Sequence, residues 1–207
     1  MVQSLNVPGI INVFRLLWNP SLAVPHIIVN DIRAINYASL KQSNIKAIGF
    51  DKDNCLTEPY ISTIYKPFES AWINCKDTFG KENVVIVSNS AGTNDDIDYK
   101  EAQKLEVSLG VTVLRHAEKK PAGGIHLINH FKPTIHPAQI AFVGDRILTD
   151  VVFGNRNGNL TIWTNKVITE KGDNKAALML RRMEYQLIKF LKMMNVKPPA
   201  HPAINEK

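Results

Sequence analysis

The amino-acid sequence predicts an α/β fold, a doubly wound parallel sheet flanked by helices. Three observations carry that prediction. Short β-branched apolar runs alternate with segments of helical period along residues 45–164. The runs are apolar at successive positions, as suits strands covered on both faces. Four of them lead, at their end or within six residues, to acids, a hydroxyl or lysines, and ligands of such sheets bind at the carboxyl ends of strands.

Residues 1–30 carry no acidic side chain. Ile10, Ile11, Val13, Phe14, Leu16, Leu17 and Trp18 surround a polar line of Asn12, Arg15 and Asn19, a spacing that predicts a short helix opened near Pro8-Gly9 and stopped by Pro20. The run is too broken for a membrane span, which needs about 20 mostly apolar residues, and it lacks the parts of a secretory signal. It reads as an interfacial helix or as a packing element against the domain or another copy of the chain. Strand runs follow at 45–50, 84–88, 111–114, 140–143 and 160–164. Between them, a helix is expected over 68–80. Another is capped by Asn94 or Asp95, carries Ile97, Ala102, Leu105 and Leu109, and ends at Gly110. A third, entered at Pro121, carries Ile125 and Ile128. The last helix is expected from about Asp173 to Met194, with Ala177, Leu180, Leu187, Leu191 and Met194 on its apolar face and Arg181, Arg182, Lys189 and Lys192 supplying positive charge. The chain thus divides into a leading segment (1–30), one α/β domain (31–197) and a loose tail (198–207) after Pro198-Pro199.

At 207 residues the chain suits one domain with a proper core. Cys55 and Cys75 make neither a disulfide framework nor a CxxC zinc pair, and they point to a reducing compartment. The formal charge is +6, and residues 165–207 hold +5 of it, which suggests an anionic partner surface of lipid headgroups or nucleic acid.

The strand ends carry the chemistry. The first ends in Asp51-Lys52-Asp53-Asn54-Cys55 and the second in Ser88-Asn89-Ser90. After the third come Arg115, His116 and Lys119-Lys120-Pro121. The fourth gives Gly144-Asp145-Arg146, with Asp150 five residues beyond Asp145. A carboxylate such as Asp51 can attack phosphorus and form an aspartyl-phosphate. Nucleophile and phosphate are both anionic, so a hard cation is needed between them, and Mg²⁺ held by Asp51 and Asp145 meets that need. Asp53 can protonate the leaving alkoxide and then activate water. Ser88 and the backbone N–H beside it, at Asn89, can bind phosphoryl oxygens, while Lys120 balances negative charge. Each motif alone is more often a turn, a cap or a solvated boundary. Their ordered combination at four strand ends is far more specific.

The segments FDKDNCLT, VVIVSNSAG, KKP and VGDRILTD resemble the four motifs of the haloacid-dehalogenase superfamily. LLWNPSLAVPHI, FDKDNC, VLRHAEKKP and GDRILTD are similar more narrowly to the phosphatidylglycerophosphate phosphatases of fungal mitochondria, over about Val7 to Asn165. The resemblance implies a Rossmann-like sheet with a minimal cap or none, Mg²⁺ dependence and dephosphorylation of phosphatidylglycerophosphate to phosphatidylglycerol, which feeds cardiolipin synthesis. It also implies a peripheral place on the matrix side of the mitochondrial inner membrane. Carried over residue by residue, it makes Asp51 the nucleophile, Asp53 the acid/base and a carbonyl ligand of the metal. Ser88 and Lys120 become phosphate and charge partners, Asp145 a metal ligand and Asp150 a supporting acid. Lys120, directly before Pro121, fits the motif better than Lys119. Cys55 stands where the superfamily has Thr or Val, and it reads as structural because no phosphate cradle ending in arginine follows it.

The alternative is an uncapped phosphatase of another phosphomonoester: a nucleic-acid end, a phosphoprotein or a soluble metabolite. Nucleic acid is disfavoured, since stacking aromatics in the basic end amount chiefly to Tyr185 and Phe190. A receiver domain wants its acids before the phosphoacceptor on a separate strand, and a scaffold would not need the intact acid–hydroxyl–lysine–acid set. The expected partner is an anionic phospholipid, with peripheral membrane association and self-association both compatible with the N-terminal helix.

Overall fold

The computed structural model describes residues 18–170 and 175–204, and for 175–177 only the backbone. The expected N-terminal helix around Phe14 and Leu17 lies outside the described residues, apart from Trp18, which is exposed. Six strands, β1 (Ile27–Val29), β2 (Ala47–Phe50), β3 (Val84–Ile86), β4 (Thr112–Val113), β5 (Ile140–Gly144) and β6 (Leu160–Thr164), form one sheet in the order β1-β6-β5-β2-β3-β4. All five pairings are parallel. The five strands read from the sequence are all present, and β1 is an addition at the edge.

β2 is central and buried at every position. Its alternate side chains feed opposite faces, as a pleated strand requires. Ile48 and Phe50 pack with Trp72, Leu105 and Leu109, whereas Ala47 packs with Leu127, Phe131, Phe142 and Phe153. The helices that cover the sheet are α1 (Tyr37–Gln42), α2 (Glu69–Phe79), α3 (Lys100–Leu109), α4 (Gly124–Phe131), α5 (Val152–Arg156) and α6 (Lys175–Met193). The segment between Asp53 and β3 holds a loop, a short 3-10 turn and α2, with no separate cap domain among the described residues.

Several local expectations are corrected. α3 is capped by Asp96, whose carboxylate accepts from the N–H groups of Gly92, Glu101 and Ala102 at 2.9 Å each. That leaves Ile97 exposed in the turn before the helix. The C-terminal stop is as expected, with Gly110 left-handed at φ 71°. In α4 the buried positions are Gly124, Leu127 and Phe131, while Ile125 is exposed. The domain also begins before residue 31: Ala23 and Val24 are buried, and β1 pairs with β6. Nor is the tail loose up to Ala203. His26 donates from Nε2–H to the Pro199 carbonyl oxygen at 2.9 Å and stacks edge-on with the buried His201.

α6 departs most from the sequence reading. Its buried stripe is Arg181, Glu184, Ile188 and Leu191, while Leu180 and Met194 are exposed and Ala177 lies among the undescribed side chains. The spacing of 3, 4 and 3 is the period of one helix face, but two of its four members are charged. They are drawn inward by partners in the functional site.

Candidate active site

Register brings the chemistry together. Phe50 at the end of β2 lies beside Ile86 of β3 and Val143 of β5. One residue further, Asp51 N–H still donates to the Val143 carbonyl at 2.8 Å, so its side chain leaves the sheet at its carboxyl edge. Asp145 leaves β5 immediately alongside, and the Trp163 indole of β6 holds its carbonyl at 2.9 Å. After Asp51 the chain turns sharply. The Lys52 carbonyl accepts from the N–H groups of Leu56 (2.9 Å) and Thr57 (3.1 Å), and Asn54 adopts φ 60°. The turn keeps Asp53 near the site, its Oδ1 bound by Lys52 Nζ at 2.5 Å and by the Tyr60 N–H at 3.0 Å. Burial raises the Asp53 pKa, with the Asp51 charge adding to it and Lys52 opposing. A carboxyl held upward in that way is suited to giving up and recovering a proton.

Lys120 is the centre of the electrostatics. Only 1% of its side chain is exposed, and its ammonium donates to Asp51 Oδ1 at 2.6 Å and to Asp150 Oδ1 at 2.7 Å. Burial works against its charge, but Asp150 and Asp51 outweigh burial and raise its pKa. Asp150 is buried too. Burial pushes its pKa up to about 6 against the pull of Lys120. Its second oxygen accepts from the Arg146 N–H at 3.0 Å across a π-helical turn, Ile147–Val151. Gly144 makes room for this: a Cβ there would lie 2.4 Å from the Asp150 side chain. Lys119 points elsewhere, to an exposed ion pair with Asp95.

Ser88 is buried just past β3, where its hydroxyl accepts from the Ser90 N–H at 3.2 Å and orders the loop that follows. The Asn89 side chain is committed to the Lys120 peptide, accepting from its N–H at 2.7 Å and donating to its carbonyl at 3.3 Å. Asn89 therefore positions Lys120 through its side chain. Of the two residues after β4, Arg115 turns to Glu106, and His116 ties the Ser88 and Glu118 carbonyls together at 3.0 and 2.7 Å. A groove lined by Lys52, Tyr60, Ser62, Ser90 and Ala91 adjoins the Asp53 turn.

Asp51, Asp145 and Asp150 bring carboxylate oxygens within 4.8 Å of one another. Both oxygens of Asp150 are engaged as described, whereas Asp145 Oδ1 is buried without a hydrogen-bond donor among the described residues. Asp145 Oδ2 meets the Arg181 guanidinium in an ion pair. An acidic pair with a buried, undonated oxygen suits a hard divalent cation, which takes carboxylate oxygens directly.

Cys55 is 1% exposed, with Sγ 3.9 Å from the Val143 carbonyl oxygen. Burial pushes its thiol pKa well above the ordinary value, so the thiol stays protonated and is a poor nucleophile. Cys55→Ser is expected to keep activity within about threefold of wild type, since such a swap away from the reacting groups perturbs packing alone. A well-folded Cys55→Ser protein without turnover would restore a cysteine nucleophile.

Sequence reasoning missed Arg181 and Glu184. Glu184 is buried and accepts from Arg146 Nε at 2.8 Å and from the Leu148 N–H at 3.0 Å. It thereby locks α6 onto the loop after Asp145. The available signal was their spacing with Ile188 and Leu191, which puts two charges on the buried stripe.

A parallel α/β sheet that gathers acids, a buried lysine and a hydroxyl loop at its carboxyl edge defines a phosphate-ester hydrolase. The chain belongs to the mitochondrial PGP phosphatase family, which matches residues 7–169. It is 41% identical to phosphatidylglycerophosphate phosphatase 1, chloroplastic, of Chlamydomonas reinhardtii, over 96% of this chain and 74% of that protein. It is 37% identical to the chloroplastic/mitochondrial phosphatidylglycerophosphate phosphatase 1 of Arabidopsis thaliana, of which it spans 58%. The mitochondrial phosphatidylglycerophosphatase of Saccharomyces cerevisiae is 35% identical over 90% of this chain and 99% of its own length.

Proposed function

We propose that this chain is a phosphatidylglycerophosphatase that removes the terminal phosphate of phosphatidylglycerophosphate by the haloacid-dehalogenase route, leaving phosphatidylglycerol for cardiolipin synthesis. The observation that carries the chemistry is Lys120, buried between Asp51 and Asp150 at the carboxyl edge of the sheet. The substrate follows from the family and from the activities named for its relatives.

Asp51, Asp145 and the Asp53 carbonyl would hold Mg²⁺, which would supply charge neutralisation between two anions when bound. The Asp51 carboxylate oxygen attacks phosphorus, and the bond from phosphorus to the glycerol oxygen breaks as the aspartyl-phosphate forms. Asp53 delivers its proton to the departing alkoxide, then takes one from a water that attacks phosphorus and frees Asp51 and inorganic phosphate. Ser88 and the Asn89 N–H donate to the phosphoryl oxygens, and Lys120 offsets the charge accumulating at Asp51. Purified protein with Mg²⁺ is the test. Release of phosphate from phosphatidylglycerophosphate far faster than from soluble phosphomonoesters is expected, and a preference for a soluble ester would overturn the lipid assignment.

The reading extends to a peripheral place on the matrix side of the mitochondrial inner membrane. No helix among the described residues is long and apolar enough to cross a membrane. The outward side of α6 exposes Met179, Met183, Phe190 and Met193, flanked by the exposed Arg182, Lys189 and Lys192. An apolar strip edged with cations suits an anionic headgroup layer. Arg181 does not join it, being buried in the site. Each basic residue near such a surface contributes roughly 1 kcal/mol, screened by salt. Reversal of Arg182, Lys189 and Lys192 to Glu should therefore release the protein from cardiolipin-containing vesicles, most strongly at low ionic strength. Sedimentation equal to wild type at every salt concentration would rule out this face.

A further inference from the structure

Lys52 stands between the two aspartates of the first strand end, and only 6% of its side chain is exposed. A buried ammonium needs acceptors. Its Nζ donates to Asp53 Oδ1 at 2.5 Å and to the Ile61 carbonyl at 3.3 Å. The turn itself is closed by main chain. The Lys52 carbonyl takes the N–H groups of Leu56 and Thr57, the Asn54 N–H donates to the Thr57 carbonyl at 2.8 Å, and the Tyr65 N–H donates to the Leu56 carbonyl at 2.9 Å. The ammonium is thus left to act on the Asp53 carboxylate.

Asp53 Oδ1 has a second donor, the Tyr60 N–H at 3.0 Å, whereas Oδ2 has no donor among the described residues. An oxygen that already accepts from two donors has no direction left for a proton of its own, so a protonated Asp53 carries it on Oδ2. Asp53 is also on the open side of the cluster. Its side chain is 34% exposed, whereas those of Asp145, Asp150 and Lys120 are buried. A phosphate ester has its way in on that side, beside the groove lined by Lys52, Tyr60, Ser62 and Ser90.

We propose that Lys52 is a positioning residue for proton transfer: by holding Asp53 Oδ1, it makes Oδ2 the atom that hands the proton to the departing oxygen. The assignment rests on the reaction proposed above. There the bond from phosphorus to the ester oxygen breaks, and its electron pair stays on that oxygen. The Oδ2–H bond breaks with it, the proton goes to the ester oxygen, and Asp53 is left as the carboxylate whose Oδ1 Lys52 already holds. A misplacement of about 1 Å is enough to slow such a step many-fold.

The leaving group reads this out. p-Nitrophenolate departs with little need of a proton, phenolate needs one more, and a glycerol alkoxide needs it most. The test compares wild type, Lys52→Met, Lys52→Gln and Asp53→Asn, with folding checked by circular dichroism. kcat/KM is measured with Mg²⁺ on p-nitrophenyl phosphate, phenyl phosphate and phosphatidylglycerophosphate in mixed micelles. That ratio covers the steps through departure of the leaving group and not the later attack of water. Lys52→Met should lose about tenfold more on phenyl phosphate than on p-nitrophenyl phosphate, the scale of one lost charged hydrogen bond, and more again on the lipid. Lys52→Gln keeps a donor and should lose less. Equal losses on the three esters mean that Lys52 acts on the phosphoryl group or on folding, and overturn the proposal. A crystal structure of Lys52→Met should show the Asp53 carboxylate turned from its wild-type plane, and an unmoved carboxylate overturns the proposal as well. Asp53→Asn tests the reading beneath it. That variant should show the same dependence on leaving group, only steeper. If its losses are equal on all three esters, the acid role of Asp53 fails; if they are steep while those of Lys52→Met are equal, only the positioning by Lys52 fails.

Discussion

Asp51→Asn protein should fold as wild type does and lose at least about 10⁴-fold in kcat, the scale on which a covalent nucleophile is missed. The amide keeps the shape of the carboxylate at a residue whose backbone is held by the Val143 carbonyl, so the end of β2 has no reason to move. Lys120 retains Asp150 as its counter-ion. What disappears is the anionic oxygen proposed to attack phosphorus, one of three carboxylate oxygens, with those of Asp145 and Asp150, that cluster within 4.8 Å. Two measurements check this. Thermal unfolding should shift by no more than a few degrees, since no buried volume changes. Acid-quenched wild-type protein should retain label from ³²P-substrate, and the variant should retain none. Metal-dependent turnover within about tenfold of wild type would exclude Asp51 as nucleophile.

The strand ends were legible because the apolar run and the acid are contiguous in sequence: Phe50 is core and Asp51 is chemistry, with nothing between them. The same holds for Gly144 and Asp145. Strand β1 was not legible, since Ile27–Val29 is a three-residue edge strand directly after a proline-bounded turn and offers too few positions to show a period. Lys119 and Lys120 are alike in sequence. Burial separates them, because one faces solvent beside Asp95 and the other replaces water around Asp51 and Asp150. Arg181 and Glu184 were hidden by the ordinary expectation that charges on a helix face outward. That expectation fails when a site elsewhere in the fold supplies the partners. Asp145 and Arg146 do so here, and α6 rotates its stripe toward them.

Lys120→Met should abolish turnover and also destabilise the protein, with a pH dependence that identifies the cause. Methionine approximates the aliphatic stem of lysine and so fills a similar volume, yet the cation that lies between two carboxylates and over the Phe142 ring is gone. Breaking a buried pair by removing one partner costs roughly 3–5 kcal/mol, because the remaining charge has no counterpart. Asp150 can escape that cost by taking up a proton. Its folded pKa, already raised to about 6 by burial with Lys120 present, must rise further once Lys120 no longer pulls it down. The sign follows from proton counting: an acid whose folded pKa exceeds its unfolded value binds more protons when folded, so stability falls as pH rises through that window. For wild type the Asp150 contribution falls between about pH 4 and pH 6, and for the variant the fall continues above pH 6. The stability difference between the two proteins should therefore be small at pH 5 and large at pH 8, read by urea unfolding at each pH. A difference independent of pH would mean that Lys120 acts through packing and not as the counter-charge of Asp150.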